Sequence, residues 1–256
     1  LFIDSRSAKL FLKNQLTLLN QACMLYFLLK YSILGGLLML DSAAIGQWMF
    51  SHPIIAAPLI GLIGGDPLAG LIIGVLCQLF WSHKMPVGAY NPPETPLFAI
   101  SCIINYLLAC KIGSMGFIHP MMILVLLVGL LGGIFGGDLT VYIRKFNNRF
   151  PLLADKWATE GAFGKIQSIP VMALALTWSL YTVFLFLLGC LFYLLYPLFI
   201  NLPIEGRYII YYPWILLAIS VAVLIEINHS LKRWKILLAG LAFGCLAGFL
   251  HGYFIR

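Results

Sequence analysis

LDSAAIGQWMFSHPIIAAPLIGLIGGDPLAGLIIGVLCQLFWSHKMPVGAYNPPETP, residues 40–96, alternates long apolar runs with isolated acids, amides and prolines. Asp41, Gln47, Asp66, Gln78, His83, Asn91 and Glu94 stand between or inside those runs. A carboxylate at the centre of a lipid-embedded helix costs at least about 2.5 kcal/mol, so acids persist there where they face a cavity, a partner or a ligand. The apolar segment 43–65 is broken by Pro53 and Pro58, and the next, 67–82, is short and opens on Pro67. Interrupted or short apolar segments of this kind point to the binding site of a membrane transporter. Their irregular backbone survives at membrane depth only where protein or a watery cavity satisfies its polar groups.

The whole chain is apolar in the same way. Of 256 residues, 62% are hydrophobic and 10% charged, against about 45–50% and about 25% in soluble domains. The mean hydropathy is +0.98. Such a chain cannot cover a water-facing surface, which excludes a soluble globular enzyme and, equally, intrinsic disorder. Apolar stretches at 16–40, 43–65, 67–82, 96–110, 118–137, 169–196, 209–228 and 235–255 predict an all-α polytopic membrane protein, since one span takes roughly 20 residues. That makes about seven to eight hydrophobic segments, at least one of them part of a re-entrant or discontinuous hairpin. The expected organisation is one transmembrane domain over 1–256, with a polar segment at 1–15, the motif-bearing region at 41–96 and a basic cytoplasmic loop at 144–166. No cleavable targeting pattern stands out at the start.

Charge sets the expected orientation. The net +7 reflects Lys and Arg gathered on the cytoplasmic side rather than a nucleic-acid partner. Arg144, Lys145, Arg149, Lys156 and Lys165 form one basic cluster, and Lys232, Arg233 and Lys235 another; two apolar stretches separate them. If Arg6, Lys9 and Lys13 also face the cytoplasm, an even number of crossings must precede Arg144, yet five apolar stretches are available. Either one segment dips in and returns, or the N-terminus lies outside. Six cysteines and five histidines are scattered without C-x-x-C or H-E-x-x-H, so neither a disulfide framework, a metal nor a cofactor is expected.

Carboxylates and side-chain amides accept and donate in bidentate fashion, which suits the hydroxyls of a neutral polyol. Gly64-Gly65-Asp66-Pro67 places an acid at a helix start, where Asp caps exposed N–H groups. Gln78 follows twelve residues later, a little over three turns and roughly the same helix face. Asn91-Pro92-Pro93-Glu94 is a stiff extended piece, because proline fixes its own backbone and restricts the residue before it. Plainer roles stand beside these. Asp41, Asp66 and Glu94 also suit solvated loop acids or caps, Gln47 and Gln78 suit helix–helix hydrogen bonds, and His52 a structural role. The echo of Leu62–Asp66 in Ile134–Asp138 suits an internal repeat; Gly35-Gly36 and Gly132-Gly133 suit close helix packing.

Taken in order, these residues resemble the IIC subunit of the mannose/sorbose-family phosphotransferase-system sugar transporters. The resemblance rests on Leu40-Asp41, Gly46-Gln47-Trp48, Ser51-His52-Pro53, Pro58-Leu59, Gly61-Leu62, Gly65-Asp66-Pro67, Gly70-Leu71, Gly74, Gln78-Leu79, Trp81, Pro86-Val87-Gly88 and Pro92-Pro93-Glu94. It implies a helical subunit of the bacterial inner membrane, with re-entrant hairpins and a mobile core. The subunit would bind and move a hexose-like sugar together with a IID membrane subunit, in an oligomeric complex. Phosphate would pass through IIA and IIB carriers, with IIB phosphorylating the sugar, so this chain is no enzyme and has no catalytic residue. Asp66, Gln78 and Glu94 are the expected sugar ligands, with Gln47 and Asn91 in support. Three positions depart from the family pattern: its E-L-x-W glutamate is Gln78, its S-R-P arginine is His52, and its P-P-D aspartate is Glu94. Gln78 can bond a hydroxyl but is no charged acceptor. A degenerate member, acting as a non-translocating assembly or interaction subunit, is the alternative.

Overall fold

The computed structural model describes the backbone of residues 5–81, 93–113 and 121–200, and the side chains of 21–42, 44–79, 93–113 and 121–200. Every regular element among them is a helix. The expected stretches 209–228 and 235–255, the cluster around Arg233, and Asn91 lie outside the described residues. Each of the other six apolar stretches holds a helix: α1 (Ser5–Ala43), α2 (Pro53–Gly64), α3 (Pro67–Trp81), α4 (Thr95–Ile112), α5 (Met121–Asn147) and, after two short helices, α8 (Ile169–Ile200). Among the described residues, four helical stretches are long and apolar enough to cross a bilayer, while the two helices after α1 are shorter.

Two boundaries differ from the sequence reading. The segment expected to begin at 43 becomes helical only at Pro53, because Pro starts helices and biases the residue before it towards extended backbone. Between them lies a loop in which Gln47 and Met49 take positive φ, 51° and 67°. The basic stretch 144–166 is not a loop. It holds the end of α5, then α6 (Arg149–Thr159) and α7 (Phe163–Ile166). Residues 5–15 of the polar segment are the first turns of α1, which begins at Ser5.

Helix α4 is the centre of the bundle. Leu97 to Ala109 are buried without a break, as befits a helix that is apolar all round. Its neighbours come close where they carry glycine. A Cβ on Gly132 of α5 would meet Leu188 at 3.0 Å and Ser101 at 3.3 Å, and one on Gly136 would meet Leu97 at 2.5 Å. Gly35 of α1 lies against Ile100 and Leu185, and Gly189 of α8 against Leu28. These pairings run α1 antiparallel to α8, and α4 antiparallel to α5.

Helices α2 and α3 fold into a hairpin at backbone contact. A Cβ on Gly70 would stand 2.5 Å from the Ala57 carbonyl oxygen, and one on Gly74 2.5 Å from that of Pro53. Gly65 makes the turn at φ 91°, its N–H bonding Gly61 and Leu62 carbonyls, a left-handed position that glycine adopts without Cβ strain.

Several contacts fix one end of the bundle. The end of α1 meets the start of α2 through Asp41, and Asn147 of α5 donates to Thr177 of α8 at 3.3 Å. The Glu94 N–H, just ahead of α4, donates to the Gly133 carbonyl at 2.9 Å. All of these mark one end, here the base. The hairpin rises from the base and turns beside Tyr31 and Tyr106, with the Tyr31 hydroxyl donating to the Ile63 carbonyl at 3.2 Å. Tyr106 is eleven residues into α4, so the hairpin reaches about 17 Å along its neighbours. With α2 and α3 returning to the base together, α1, α4 and α5 run the length of the bundle before Arg144. The start of α1 and Arg144 are therefore at opposite ends of the bundle.

Candidate functional site

Asp66 sits at the hairpin tip. Its Oδ1 accepts the Ala69 N–H at 2.9 Å, capping α3 as the Gly-Gly-Asp-Pro pattern predicts. Its Oδ2 accepts the Tyr106 hydroxyl at 2.9 Å. Tyr106 is itself 3% exposed, so a hydroxyl buried on α4 finds its acceptor on the hairpin. Each carboxylate oxygen retains a further lone pair.

Gln78 lies at the other end of α3, on the hairpin's base. Nδ1–H of His52, the residue ahead of α2, donates to Gln78 Oε1 at 3.0 Å. Two of the three departures from the family pattern thus meet each other. An Arg and a Glu at these positions would carry opposite charges; here a neutral amide faces an imidazole. The spacing argument for Asp66 and Gln78 fails on geometry. Twelve residues leave about 120° of helix rotation between them and put them about 18 Å apart along the axis.

Glu94 occupies the N-cap position of α4 without capping it. Its side chain instead turns to α5, where the Thr140 hydroxyl and the Arg144 guanidinium lie near the carboxylate and favour its charged form. Burial pushes the Glu94 carboxyl above its ordinary value, and Thr140 and Arg144 offset only part of that. Thr140 also lies 3.0 Å from the Tyr181 hydroxyl, and its own hydroxyl is 3.0 Å from the Gly136 carbonyl. Thr140 gives its one proton to the Gly136 carbonyl, so Tyr181 is the donor in their pair.

Gln47 is exposed on the loop between α1 and α2, its N–H bonded to the Ile45 carbonyl at 2.8 Å. What holds that loop is Asp41. Its Oδ1 accepts the Trp48 N–H at 2.7 Å, and its Oδ2 accepts the Ser51 N–H at 3.1 Å and the Ser51 hydroxyl at 3.4 Å. Asp41 is 8% exposed: it is a loop brace rather than a solvated acid.

Asp66, Gln78 and Glu94 therefore do not form one cluster. Gln78 and Glu94 share the base end, while Asp66 lies deeper. Sequence reasoning missed Tyr106, Thr140, Tyr181 and Asn105. The last is 1% exposed, donates to Ser101 Oγ at 3.3 Å, and leaves its Oδ1 without a partner among the described residues. The signal that singled out Gln78, a polar side chain inside an apolar run, also marks Asn105 and Thr140.

Residues 20–195 match the family described as the PTS system sorbose-specific IIC component. The chain is 29% identical over 144 residues to the sorbose-specific EIIC component of Klebsiella pneumoniae, covering 56% of this chain and 49% of that one. It is 29% identical over 130 residues to the mannose-specific EIIC component of Escherichia coli K12, covering 51% and 46%. It thus spans about half the length of these curated relatives. A solved structure described as a membrane protein superposes with a TM-score of 0.59 at 18% identity, over 91% of this chain and 95% of that one. The mannose transporter ManYZ in complex with microcin E492 gives 0.53 at 18% identity, over the same shares. These structural likenesses are likenesses of fold. With more than half of its length inside the family match, the chain belongs to the family described as the PTS system sorbose-specific IIC component and is a multi-pass inner-membrane protein.

Proposed function

We propose that the chain is the sugar-binding and translocating membrane subunit of a phosphoenolpyruvate-dependent permease of the mannose/sorbose family. It works with a IID membrane subunit, and with IIA and IIB carriers of which IIB phosphorylates the sugar. Support for a membrane partner comes from the fold neighbour, the mannose transporter ManYZ. The observation that carries the reading is the α2–α3 hairpin with Asp66 at its tip. Its reach of about 17 Å is little over half the ~30 Å hydrocarbon thickness, so in this reading it is re-entrant. Arg144, Lys145, Arg149 and Lys156 follow at the base end, which assigns that end to the cytoplasm.

The polar groups then mark a path from the base inward. Gln78 and Glu94 stand at its mouth with Gln47 in support, and Asp66 waits at depth; Asn91, outside the described residues, is kept as a supporting ligand on its sequence alone. The distance from Gln78 to Asp66 exceeds the span of one hexose, so they serve successive positions of the sugar. With Oε1 held by His52, Gln78 offers its amide N–H groups to a hydroxyl oxygen, while Asp66 accepts from hydroxyl protons. The His52–Gln78 pair, standing where the family pattern has Arg and Glu, favours one other reading, a degenerate member that assembles the complex without moving sugar. Labelled hexose uptake in cells carrying IIA, IIB and IID, with and without this chain, separates the two. Loss of uptake without the chain supports translocation; full uptake without it leaves only the assembly role.

A further inference from the structure

Helix α6 has no buried residue, although a single residue, Asn148, separates it from α5. Its sequence, RFPLLADKWAT, is two-faced. Phe150, Leu153, Ala154 and Trp157 are its half-buried positions, spaced i, i+3, i+4 and i+7 on one helical stripe. Arg149 and Lys156 are exposed and seven residues apart, on one flank of that stripe, and Asp155 lies on the far side. The surrounding bases are exposed as well: Arg144 and Lys145 on the last turns of α5, and Lys165 on α7. Between 144 and 165 five bases face two acids, of which Glu160 reaches Lys156 at 4.0 Å.

What covers the stripe follows from where α6 starts. Helix α5 has 27 residues, about 40 Å, which exceeds the ~30 Å hydrocarbon core. Its last turn, with Arg144 and Lys145, therefore reaches the headgroups, and α6 leaves from that level. A basic amphipathic helix with a tryptophan on its apolar face, entering at headgroup depth, has the chemistry of an interfacial helix. Basic residues beside a membrane attract anionic lipid. We propose that α6 lies in the bilayer surface with Phe150, Leu153 and Trp157 among the acyl chains, and that Arg149, Lys156 and Lys165 hold anionic phospholipid headgroups. The phospholipid in this arrangement tethers the segment joining α5 to α8.

The test uses the full chain in nanodiscs of phosphatidylcholine, with or without phosphatidylglycerol. Trp157 is isolated by subtracting the fluorescence of Trp157→Phe, and its quenching by lipids brominated near the headgroup is measured. Exchange of the 149–160 amides is followed in parallel for wild type and for the R149Q/K156Q/K165Q variant. Strong quenching of Trp157, with exchange slowed roughly tenfold by phosphatidylglycerol in wild type only, is the expected result. A Trp157 signal untouched by brominated lipid overturns the seating of the helix. Equal exchange of the wild type in both lipid mixtures overturns the anionic headgroup site, and points to a protein as what the bases engage.

Discussion

His52 and Gln78 stand 26 positions apart, yet their side chains close the base of the α2–α3 hairpin with one hydrogen bond of 3.0 Å. The bond is exposed, so it contributes about 0.5–1.5 kcal/mol at most. His52→Ala and Gln78→Ala are each expected to lower stability by that order. The double variant should lose no more than the worse single one, because both remove the same bond. Thermal unfolding of the four proteins in detergent measures the coupling; additive losses would show that the pair does not act as a unit.

The hairpin itself depends on glycine. At Gly70 and Gly74 an added methyl would press on the carbonyls of Ala57 and Pro53, and backbone cannot yield as a side chain can. Gly70→Ala and Gly74→Ala should each cost about 1–3 kcal/mol, the range for overpacking. Gly164→Ala has nothing within 4 Å and is the matched control, expected to be neutral or slightly stabilising. Equal melting temperatures for all three would contradict the close backbone approach.

Local signals were legible in the sequence and tertiary ones were not. Asp66 was readable as a cap because Gly65 before it and Pro67 after it fix the turn within four residues. The apolar runs were readable as helices because lipid demands length and hydropathy. The partner of Gln78 was not, since nothing near position 78 points to 52. The brace by Asp41 was hidden for a related reason: Gly46 marks a turn, but Gln47 and Met49, which also take positive φ, carry no such mark, and nothing near Trp48 and Ser51 points back to position 41. The stretch 144–166 read as a loop because its apolar residues recur with helical spacing among charges, and charge density alone obscured α6. The expected meeting of Asp66 with Gln78 failed on rotation, not on residue choice.

Glu94 gives a pH signature. Burial raises its carboxyl above the ordinary 4.5 in the folded protein, so folding favours the protonated form. The stability this contributes is complete below about 4.5 and is lost as pH rises through the folded value. Glu94→Gln keeps the neutral shape at every pH. Wild type and variant should therefore melt together in acid, and the variant should melt higher at neutral pH. Melting curves of both across that range check the sign; a wild type that gains on the variant as pH rises would mean that Thr140 and Arg144 outweigh burial.

Asp66 allows its structural and sugar-binding roles to be separated. Asp66→Asn retains a side-chain oxygen able to cap the Ala69 N–H, and its amide leaves the Tyr106 hydroxyl within reach of a polar partner, so the fold should lose less than about 1 kcal/mol. Asp66→Ala removes both bonds and leaves the buried Tyr106 hydroxyl without this acceptor, a loss of about 1–3 kcal/mol. If the carboxylate is the deep sugar ligand, uptake disappears in both variants, although only one is destabilised. If the acid serves the hairpin alone, uptake follows stability and the asparagine variant transports as wild type does. Uptake of labelled hexose, normalised to the amount of chain in the membrane, distinguishes these outcomes, and wild-type transport by Asp66→Asn would remove Asp66 from the proposed path.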